Sequence, residues 1–262
     1  MQARGKPAWP PAGLVADGHR TTRDVENGMS KPRLLDLFCG AGGAGAGYAC
    51  AGFEVVGVDI EPQPRYPFAF HQADALEVLE RLCDGGPLFR TAAAGLDAIH
   101  VSPPCQHASR LGALWPDREY PEMIERTREL LIGTDLPYVI ENVEGAALMD
   151  PITLCGSTFG LGVRRHRLFE SNVELRNAGP CRHAEQGPVL SVQGHAGGQS
   201  RRDGLRGRGT TQEWREAMGI DWMTGVELAQ SIPPVYTQHI GHYLLAEVEA
   251  RAGRLATWKA TK

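Results

Sequence analysis

The chain has 262 residues, which suits one domain of ordinary size with a small additional lobe. Apolar residues make up 42% of the sequence, and no window approaches the roughly 18 consecutive apolar residues that a membrane-spanning helix needs. The formal net charge of −4 gives no general attraction to nucleic acid, so such binding must depend on local basic clusters. These values exclude a membrane protein and predict a globular one.

The N-terminal segment, residues 1–30, is rich in Pro, Gly, Arg and Asp without periodicity and predicts a flexible tail. It lacks the continuous apolar stretch of a secretory signal, so we expect a cytoplasmic protein. Six cysteines without CxxC spacing predict reduced thiols. Since Cys181, His183 and His195 match the spacing of no zinc finger or ribbon, we expect no metal.

An apolar strand opens the ordered part of the chain at Arg33–Phe38. A glycine-rich turn at Gly40–Gly43, a helix ending near Ala51 and a second strand at Glu54–Asp59 follow it. This order is the beginning of a βαβ unit.

Two later apolar runs continue the pattern. Ala98–Val101 follows the helix-like stretch Leu76–Leu82, and Pro137–Ile140 follows the helix-like stretch Tyr120–Leu131. Strands that alternate with helices indicate a parallel sheet. The sequence therefore predicts an α/β fold with a Rossmann-like, mostly parallel sheet.

The periodicity breaks off after residue 170 and helix-like sequence returns at Gln212–Met218 and His239–Arg251. We interpret the break as a small irregular lobe inserted into the main domain. The predicted division of the chain is a tail at 1–30, a main domain at 31–170, the lobe at 171–212, and a return to the main domain at 213–262.

The glycine-rich turn is the first candidate for binding chemistry. Glycines after a strand let backbone amides approach a ligand, so Gly40, Gly42 and Gly43 predict a site for a nucleoside-type cofactor. Asp59 ends the second strand, where its carboxylate can accept hydrogen bonds from ribose hydroxyls. Asp74 would follow a third strand, near an adenine. Alternatives remain for both features. The glycines could form a tight turn that binds no ligand, and the two aspartates could be ordinary acids at a strand end or a helix cap.

The segment VSPPCQHAS places Cys105 after two prolines at the end of an apolar run. Proline fixes its own φ and restricts the residue before it, so Ser102, Pro103 and Pro104 predict a stiff loop that presents the thiol. Ligands of open parallel sheets bind outside the carboxyl ends of the strands, where the glycine turn also lies. A buried structural cysteine is the alternative.

Five segments taken in chain order resemble the successive motifs of the cytosine-C5 DNA methyltransferase family, whose members use S-adenosylmethionine. They are DLFCGAGG, PPCQ, ENVEG, RRHR and SIPPVYTQHIG. The resemblance covers about residues 33–170 and 213–250. It implies a fold of the Rossmann-like methyltransferase type and a cofactor pocket, with Phe38 near the adenine or methionine part and Asp59 on the ribose. The cofactor-binding residues that it implies are Phe38, Gly40, Gly42, Gly43, Asp59, Ile60, Asp74, Pro103, Gln230 and Ser231.

The same resemblance implies the catalytic residues. Cys105 would attack C6 of cytosine, and Glu141 would bond to N3 to stabilise the charge that develops there. Arg165 and Arg167 are two residues apart, so on an extended strand they would face one side and contact the target base. The family's usual glutamine before them is Val163 here. Both assignments have a structural alternative. Glu141 could form an ion pair, and the two arginines could lie on a solvated strand.

The stretch between the RRHR segment and the returning helix is short, with about forty residues, and predicts recognition of a short target. It contains a basic cluster suited to phosphate contacts, although a solvated charge run would look the same. The residues predicted to bind nucleic acid are Gln106, Arg201, Arg202, Arg206 and Arg208. Gln230 replaces the family's usual asparagine in the segment that closes the cofactor pocket.

Together these features predict a small DNA cytosine-C5 methyltransferase of the phage or restriction-modification type. We expect a monomer that acts on a base flipped out of double-stranded DNA. Two alternatives stay open: a transfer RNA cytosine-C5 methyltransferase, which the short lobe would also suit, and a catalytically silent nucleic-acid or cofactor-binding module.

Overall fold

A computed structural model describes residues 31–86, 95–104, 120–194 and 209–260 of the chain. The strands are β1 Arg33–Leu37, β2 Glu54–Asp59, β3 Ala69–Gln72, β4 Ala98–Val101, β5 Tyr138–Asn142, β6 Ile152–Leu154 and β7 Arg167–Ser171. The helices are α1 Gly43–Ala51, α2 Ala75–Cys83, α3 Tyr120–Gly133, α4 Thr211–Met218, α5 Gly225–Gln230 and α6 Pro234–Ala260.

The strands form one sheet in the order β3-β2-β1-β4-β5-β7-β6. Strands β1 to β5 pair in parallel, whereas β7 runs antiparallel to both β5 and β6. The predicted α/β class and mostly parallel sheet are confirmed. The chain order reverses across β1, so the crevice expected for a ligand lies beyond the carboxyl ends of β1 and β4.

The central strands are buried on both faces, and alternate residues face opposite sides of the sheet. Leu34 of β1 packs in a core with α1 and α6, whereas its neighbour Leu35 packs in a second core with α2 and α3. The apolar runs of β1, β4 and β5 thus arise because helices cover the sheet on both sides. This burial fixes the strand ends that carry the site.

Helix α1 is built from small residues, and α6 approaches it closely. A Cβ on Gly47 would clash with the Thr237 hydroxyl and the Pro234 carbonyl of α6. The Thr237 hydroxyl donates a hydrogen bond of 2.8 Å to the carbonyl of Ala44. Part of the glycine-rich sequence therefore serves the packing of α6 onto α1 rather than a ligand.

A third apolar core joins residues that precede β7 to the last part of the lobe and to α4 and α5. Val163, Leu190 and Trp214 are buried in it. Residues 172–194 contain turns and no helix. In the described part of the chain, no helix is both long enough and apolar enough to cross a membrane.

Candidate active site

A cavity of about 1240 Å³ opens beyond the carboxyl ends of β1, β2, β4 and β5. It brings together residues that are far apart in the sequence and that sequence analysis had assigned to cofactor or catalysis. The predicted residues that line it are Phe38, Gly40, Gly43, Asp59, Ile60, Asp74, Pro103, Glu141, Arg165, Arg167, Gln230 and Ser231. Glu61 and Arg164 also line the cavity, and sequence analysis had not selected them.

Gly42 is the one described residue of the predicted set that does not line the cavity. Its φ of 86° is in the left-handed region, and a Cβ there would lie 2.7 Å from Cδ of Pro67. Gly42 is therefore required by the backbone of the turn and by contact with Pro67. The sequence could not separate this role from ligand binding.

The turn after β1 is held by Asp59. Its carboxylate accepts hydrogen bonds from the amide of Gly40 at 2.9 Å and from the amide of Glu61 at 3.0 Å. Phe38, which precedes the turn, has a φ of 56°, a strained conformation for a residue with a side chain. Strain of this kind is retained where the surrounding structure imposes it, and here it lies at the cavity wall.

Asp74 has a helix-capping role. Its carboxylate accepts a hydrogen bond of 2.8 Å from the amide of Leu76 and a longer one from the amide of Glu77, so it caps the N-terminus of α2. The structure thus shows the helix-cap alternative, while the same residue also lines the cavity.

Asp36 is fully buried beneath the glycine turn. The Tyr66 hydroxyl donates a hydrogen bond of 3.0 Å to it. Burial raises the pKa of Asp36 from an ordinary value of 3.8 to about 8, the hydrogen bond from Tyr66 opposes the shift, and the charge of Asp59 adds to it. Asp36 therefore holds its proton to a higher pH than an ordinary aspartate does.

We expect the contribution of Asp36 to the free energy of unfolding to fall as the pH rises from about 4 to 8, because the unfolded chain loses the Asp36 proton before the folded chain does. The buried neutral His100 contributes with the opposite sign below its ordinary pKa of 6.5, so the contribution of Asp36 is the difference between wild type and variant. Asp36→Asn mimics the protonated acid and should remove this pH-dependent loss, which is on the order of a few kcal/mol. Urea unfolding across this pH range measures it. Asp84→Asn changes an exposed acid outside the cavity and should leave the slope unchanged. An equal slope in wild type and Asp36→Asn would contradict the assignment.

Glu141 lies near the end of β5 and is only 6% exposed. The guanidinium of Arg167, at the start of β7, places Nε 3.0 Å from its Oε1. Burial raises the pKa of Glu141, while Arg167, a hydrogen bond from Ser102 and the charge of Arg165 offset part of the shift. A carboxyl group in this setting can hold a proton at higher pH than an ordinary glutamate, which suits a group that shares a proton with a ligand.

A series of hydrogen-bonded side chains leads from Glu141 into the sheet. Ser102 hydrogen-bonds to Glu141, and its Oγ lies 2.9 Å from Nε2 of His100. Nδ1 of the same ring lies 3.0 Å from the Tyr48 hydroxyl. Burial lowers the pKa of His100 to about 3, so the ring is neutral. This series of hydrogen bonds therefore orients Ser102 toward Glu141 without adding a charge. The sequence gives no signal for His100, because this residue lies inside an apolar strand.

Asn142 connects the end of β5 to the proline turn. Its side-chain amide donates a hydrogen bond of 2.9 Å to the carbonyl of Pro103, and its Oδ1 accepts one from the amide of Val143. Asn142 therefore ties the proline turn to the end of β5. Pro103 and Pro104 line the cavity. Cys105 follows Pro104 in the sequence and lies outside the described residues.

The two arginines of the RRHR segment have different surroundings, and the prediction that they face one side of an extended strand is wrong. β7 begins only at Arg167, and Arg165 has a φ of 39° before it. The Arg165 guanidinium is buried and donates to three backbone carbonyls, those of Val192, Ala229 and Ser231, at 2.7–2.9 Å. Burial and the charge of Arg167 lower its pKa to about 9. Arg165 therefore joins the lobe to the C-terminal end of α5 and to the residue that follows it.

The chain departs from the motifs that it resembles at Val163 and Gln230, and both residues line the cavity. Val163 is buried in the third core with Leu190 and Trp214, an environment that favours an apolar side chain. Ser231 lines the cavity beside Gln230, and a Cβ on Gly43 would clash with its hydroxyl. Gly43 therefore permits the close approach of this segment to α1.

The remaining predicted residues lie outside the part of the chain that the structure describes. They are Cys105, Gln106, Arg201, Arg202, Arg206 and Arg208, together with His195 and residues 1–30.

The strand order, with an antiparallel seventh strand, and the cavity at the carboxyl ends define a Rossmann-like α/β fold. The same fold is found in a protein named as a DNA modification methyltransferase encoded within a prophage of E. coli, with a TM-score of 0.55 and 16% identity over 81% of this chain and 98% of that one. It is also found in the S. pombe Dnmt2 methyltransferase, with a TM-score of 0.53 and 13% identity over 84% of this chain and 99% of that one. At these identities the likeness shows the fold alone.

In sequence, 124 residues are 32% identical to the type II methyltransferase M.XorII of Xanthomonas oryzae pv. oryzae. The match covers 45% of this chain and 29% of that relative, so the chain spans less than a third of the relative's length. No protein-family profile matches the chain.

Proposed function

We propose that the protein transfers a methyl group from S-adenosylmethionine to C5 of cytosine in DNA. The observation that carries the proposal is the setting of Glu141, a buried carboxyl group with a raised pKa that faces the same cavity as the glycine turn, Asp59 and the two prolines before Cys105. Two groups of residues, one for a cofactor and one for a base, thus share one space of about 1240 Å³, larger than a typical single-ligand pocket.

The cofactor half of the cavity suits an adenosyl ligand. Asp59 provides an acidic acceptor for ribose hydroxyls, Phe38 and Ile60 provide apolar surface, and nothing lies within 4 Å of where a Cβ on Gly40 would be. When bound there, S-adenosylmethionine supplies an electrophilic methyl group. The residues of the chain orient it and exclude water.

The base half supports addition chemistry. Cytosine C5 is a weak nucleophile, and a thiolate added at C6 makes C5 reactive toward the methyl group. We assign the thiolate to Cys105 and the acid at N3 to Glu141. Because the reactive carbons lie inside the base stack, the target nucleotide must be flipped out of the duplex.

DNA as the substrate is supported by the names of two similar proteins, a type II methyltransferase and a prophage DNA modification methyltransferase. We assign phosphate contacts to the cluster of Arg201, Arg202, Arg206 and Arg208, since the chain as a whole is acidic. A role in phage or restriction-modification biology belongs to the same proposal.

The test is incubation of the purified protein with methyl-labelled S-adenosylmethionine and either duplex DNA or transfer RNA, followed by digestion to nucleosides. Label in 5-methylcytosine from DNA is the expected result. If label appears in 5-methylcytosine from RNA alone, the substrate is RNA instead of DNA, and the proposed methylation at C5 is retained. Label at an exocyclic nitrogen, or no transfer to either polymer, would overturn the proposal.

Asp59→Ala should weaken the binding of S-adenosylmethionine and of its demethylated product by roughly 10-fold to 100-fold, because charge-assisted hydrogen bonds to the ribose are lost. Calorimetric titration measures both dissociation constants. Since Asp59 also holds the amides of Gly40 and Glu61, the variant's own melting temperature must be measured without ligand. Asp84→Ala, at an exposed acid outside the cavity, is the control. Unchanged affinity in Asp59→Ala would remove Asp59 from the cofactor site.

A further inference from the structure

Four potential metal ligands meet at the junction between the main domain and the lobe. One ligand atom from each of Cys155, His166, Cys181 and His183 lies within 4.8 Å of all the others. The Cys155 sulfur is 3.1 Å from Nε2 of His183, and the Cys181 sulfur is 3.3 Å from Nε2 of His166. These residues come from three separate stretches of the chain, so the fold itself assembles the cluster.

We propose that these residues bind one Zn²⁺ ion in a structural Cys₂His₂ site. Two thiolates and two imidazoles are a common tetrahedral ligand set for zinc. Zn–S bonds of about 2.3 Å and Zn–N bonds of about 2.0–2.1 Å place the ligand atoms of such a tetrahedron roughly 3.3–3.8 Å apart. The observed pairs lie near that range. Since four protein ligands complete the coordination, the ion would be structural and would leave no position for a reacting water.

Groups around the ligands support the same assignment. Nδ1 of His166 lies 3.4 Å from a carboxylate oxygen of Glu144, so the opposite nitrogen, Nε2, is directed to the cluster. A carboxylate behind a ligating imidazole is the usual arrangement at zinc sites. The Ser157 hydroxyl lies 3.1 Å from the Cys155 sulfur and accepts a hydrogen bond from the amide of Arg182. This hydroxyl can donate to a thiolate.

The position of the cluster indicates that the ion would connect the lobe to the main domain. Cys155 directly follows β6, and His166 stands between Arg165 and Arg167, whereas Cys181 and His183 belong to the lobe. An ion bound to all four would tie the lobe to the segment that carries Arg167, the partner of Glu141. The ion would therefore fix the start of the lobe against the main domain. It would also help to hold Arg167 beside Glu141 in the part of the cavity assigned to the base.

The expectation of no metal rested on the spacing of Cys181, His183 and His195, which matches no finger. Of those three residues, Cys181 and His183 are in the cluster, and His195 lies outside the described residues. The other ligands, Cys155 and His166, come from the main domain, and a search for local spacing could not connect them. On binding, each thiol would lose its proton to solvent, so affinity should rise with pH.

The metal content of the purified, reduced full-length protein tests the proposal directly. We expect about one zinc per chain by elemental analysis and by native mass spectrometry. Replacement by Co²⁺ should give the visible absorption of a tetrahedral thiolate site, and chelation should lower the melting temperature. Protein that carries no zinc and binds neither Zn²⁺ nor Co²⁺ when titrated would overturn the proposal, as would a Cys155–Cys181 disulfide found by mass spectrometry in the freshly purified protein.

A matched pair of variants assigns the ligands. Cys181→Ser removes an exposed thiol of the cluster, and Cys83→Ser removes an exposed thiol outside it. Zinc affinity should fall at least about 10-fold in the first and stay unchanged in the second. His183→Cys, which supplies another zinc ligand type, should keep the Co²⁺ spectrum in altered form. Equal zinc binding by Cys181→Ser and Cys83→Ser would contradict the assignment, and if Cys181→Ser fails to fold, the Co²⁺ spectra of wild type and His183→Cys still decide it.

Discussion

Replacing Cys105 by serine is expected to abolish methyl transfer to DNA and the covalent adduct with DNA that contains 5-fluorocytosine. In the proposed reaction the thiolate adds to C6, C5 takes the methyl group, the C5 proton leaves, and the thiolate is eliminated. Fluorine at C5 cannot leave as a proton, so the adduct persists. A serine hydroxyl is a far weaker nucleophile at neutral pH because it is not ionised there.

Gel mobility under denaturing conditions and peptide mass spectrometry measure the adduct, and labelled cofactor measures turnover. Cys83→Ser is the matched control, since this thiol is exposed and does not line the cavity. It should retain both activities. Turnover at the wild-type rate in Cys105→Ser would refute the covalent mechanism, and an adduct mapped to another cysteine would move the site.

Sequence analysis predicted well the strands that have a buried apolar interior. β2 was predicted at Glu54–Asp59 and occupies those residues. An apolar run with a glycine before it and an acid at its end is typical of a buried strand. The cavity residues were found for a related reason. In a parallel sheet the carboxyl ends of the strands lie at one edge, so Asp59 and Glu141 line the same cavity although two strands separate β2 from β5.

The features that the sequence did not reveal depend on contacts between distant segments. Nothing local to Arg165 indicates a left-handed backbone or three carbonyl acceptors, since those carbonyls belong to the lobe and to the C-terminal end of α5 with the residue after it. Gly47 carries the same local signal as Gly40, yet it serves the packing of α6. The cluster that contains Cys155 and His183 likewise joins the residue after β6 to the lobe, two segments that are distant in the sequence.

Glu141→Gln is expected to lower the rate of methyl transfer by a factor on the order of 10²–10⁴, the usual contribution of a positioned acid or base. The amide is similar in shape and can still donate a hydrogen bond to N3 of cytosine, but it cannot share or transfer a proton. Binding of the cofactor should therefore be retained while the chemical step slows. Because burial raises the pKa of Glu141, the wild-type rate should decrease as the pH rises above that pKa, and the variant should lose this dependence.

The structure offers a matched control for the ion pair that this substitution breaks. Glu170 is also a buried glutamate paired with an arginine, Arg128 at 2.6 Å, but it does not line the cavity. Glu170→Gln should therefore lower stability without the specific loss of rate. Single-turnover kinetics across a pH series, with cofactor affinity measured in parallel, distinguish the two variants. If both slow equally, Glu141 acts through the fold; if only Glu141→Gln slows and loses the pH dependence, its carboxyl group takes part in the reaction.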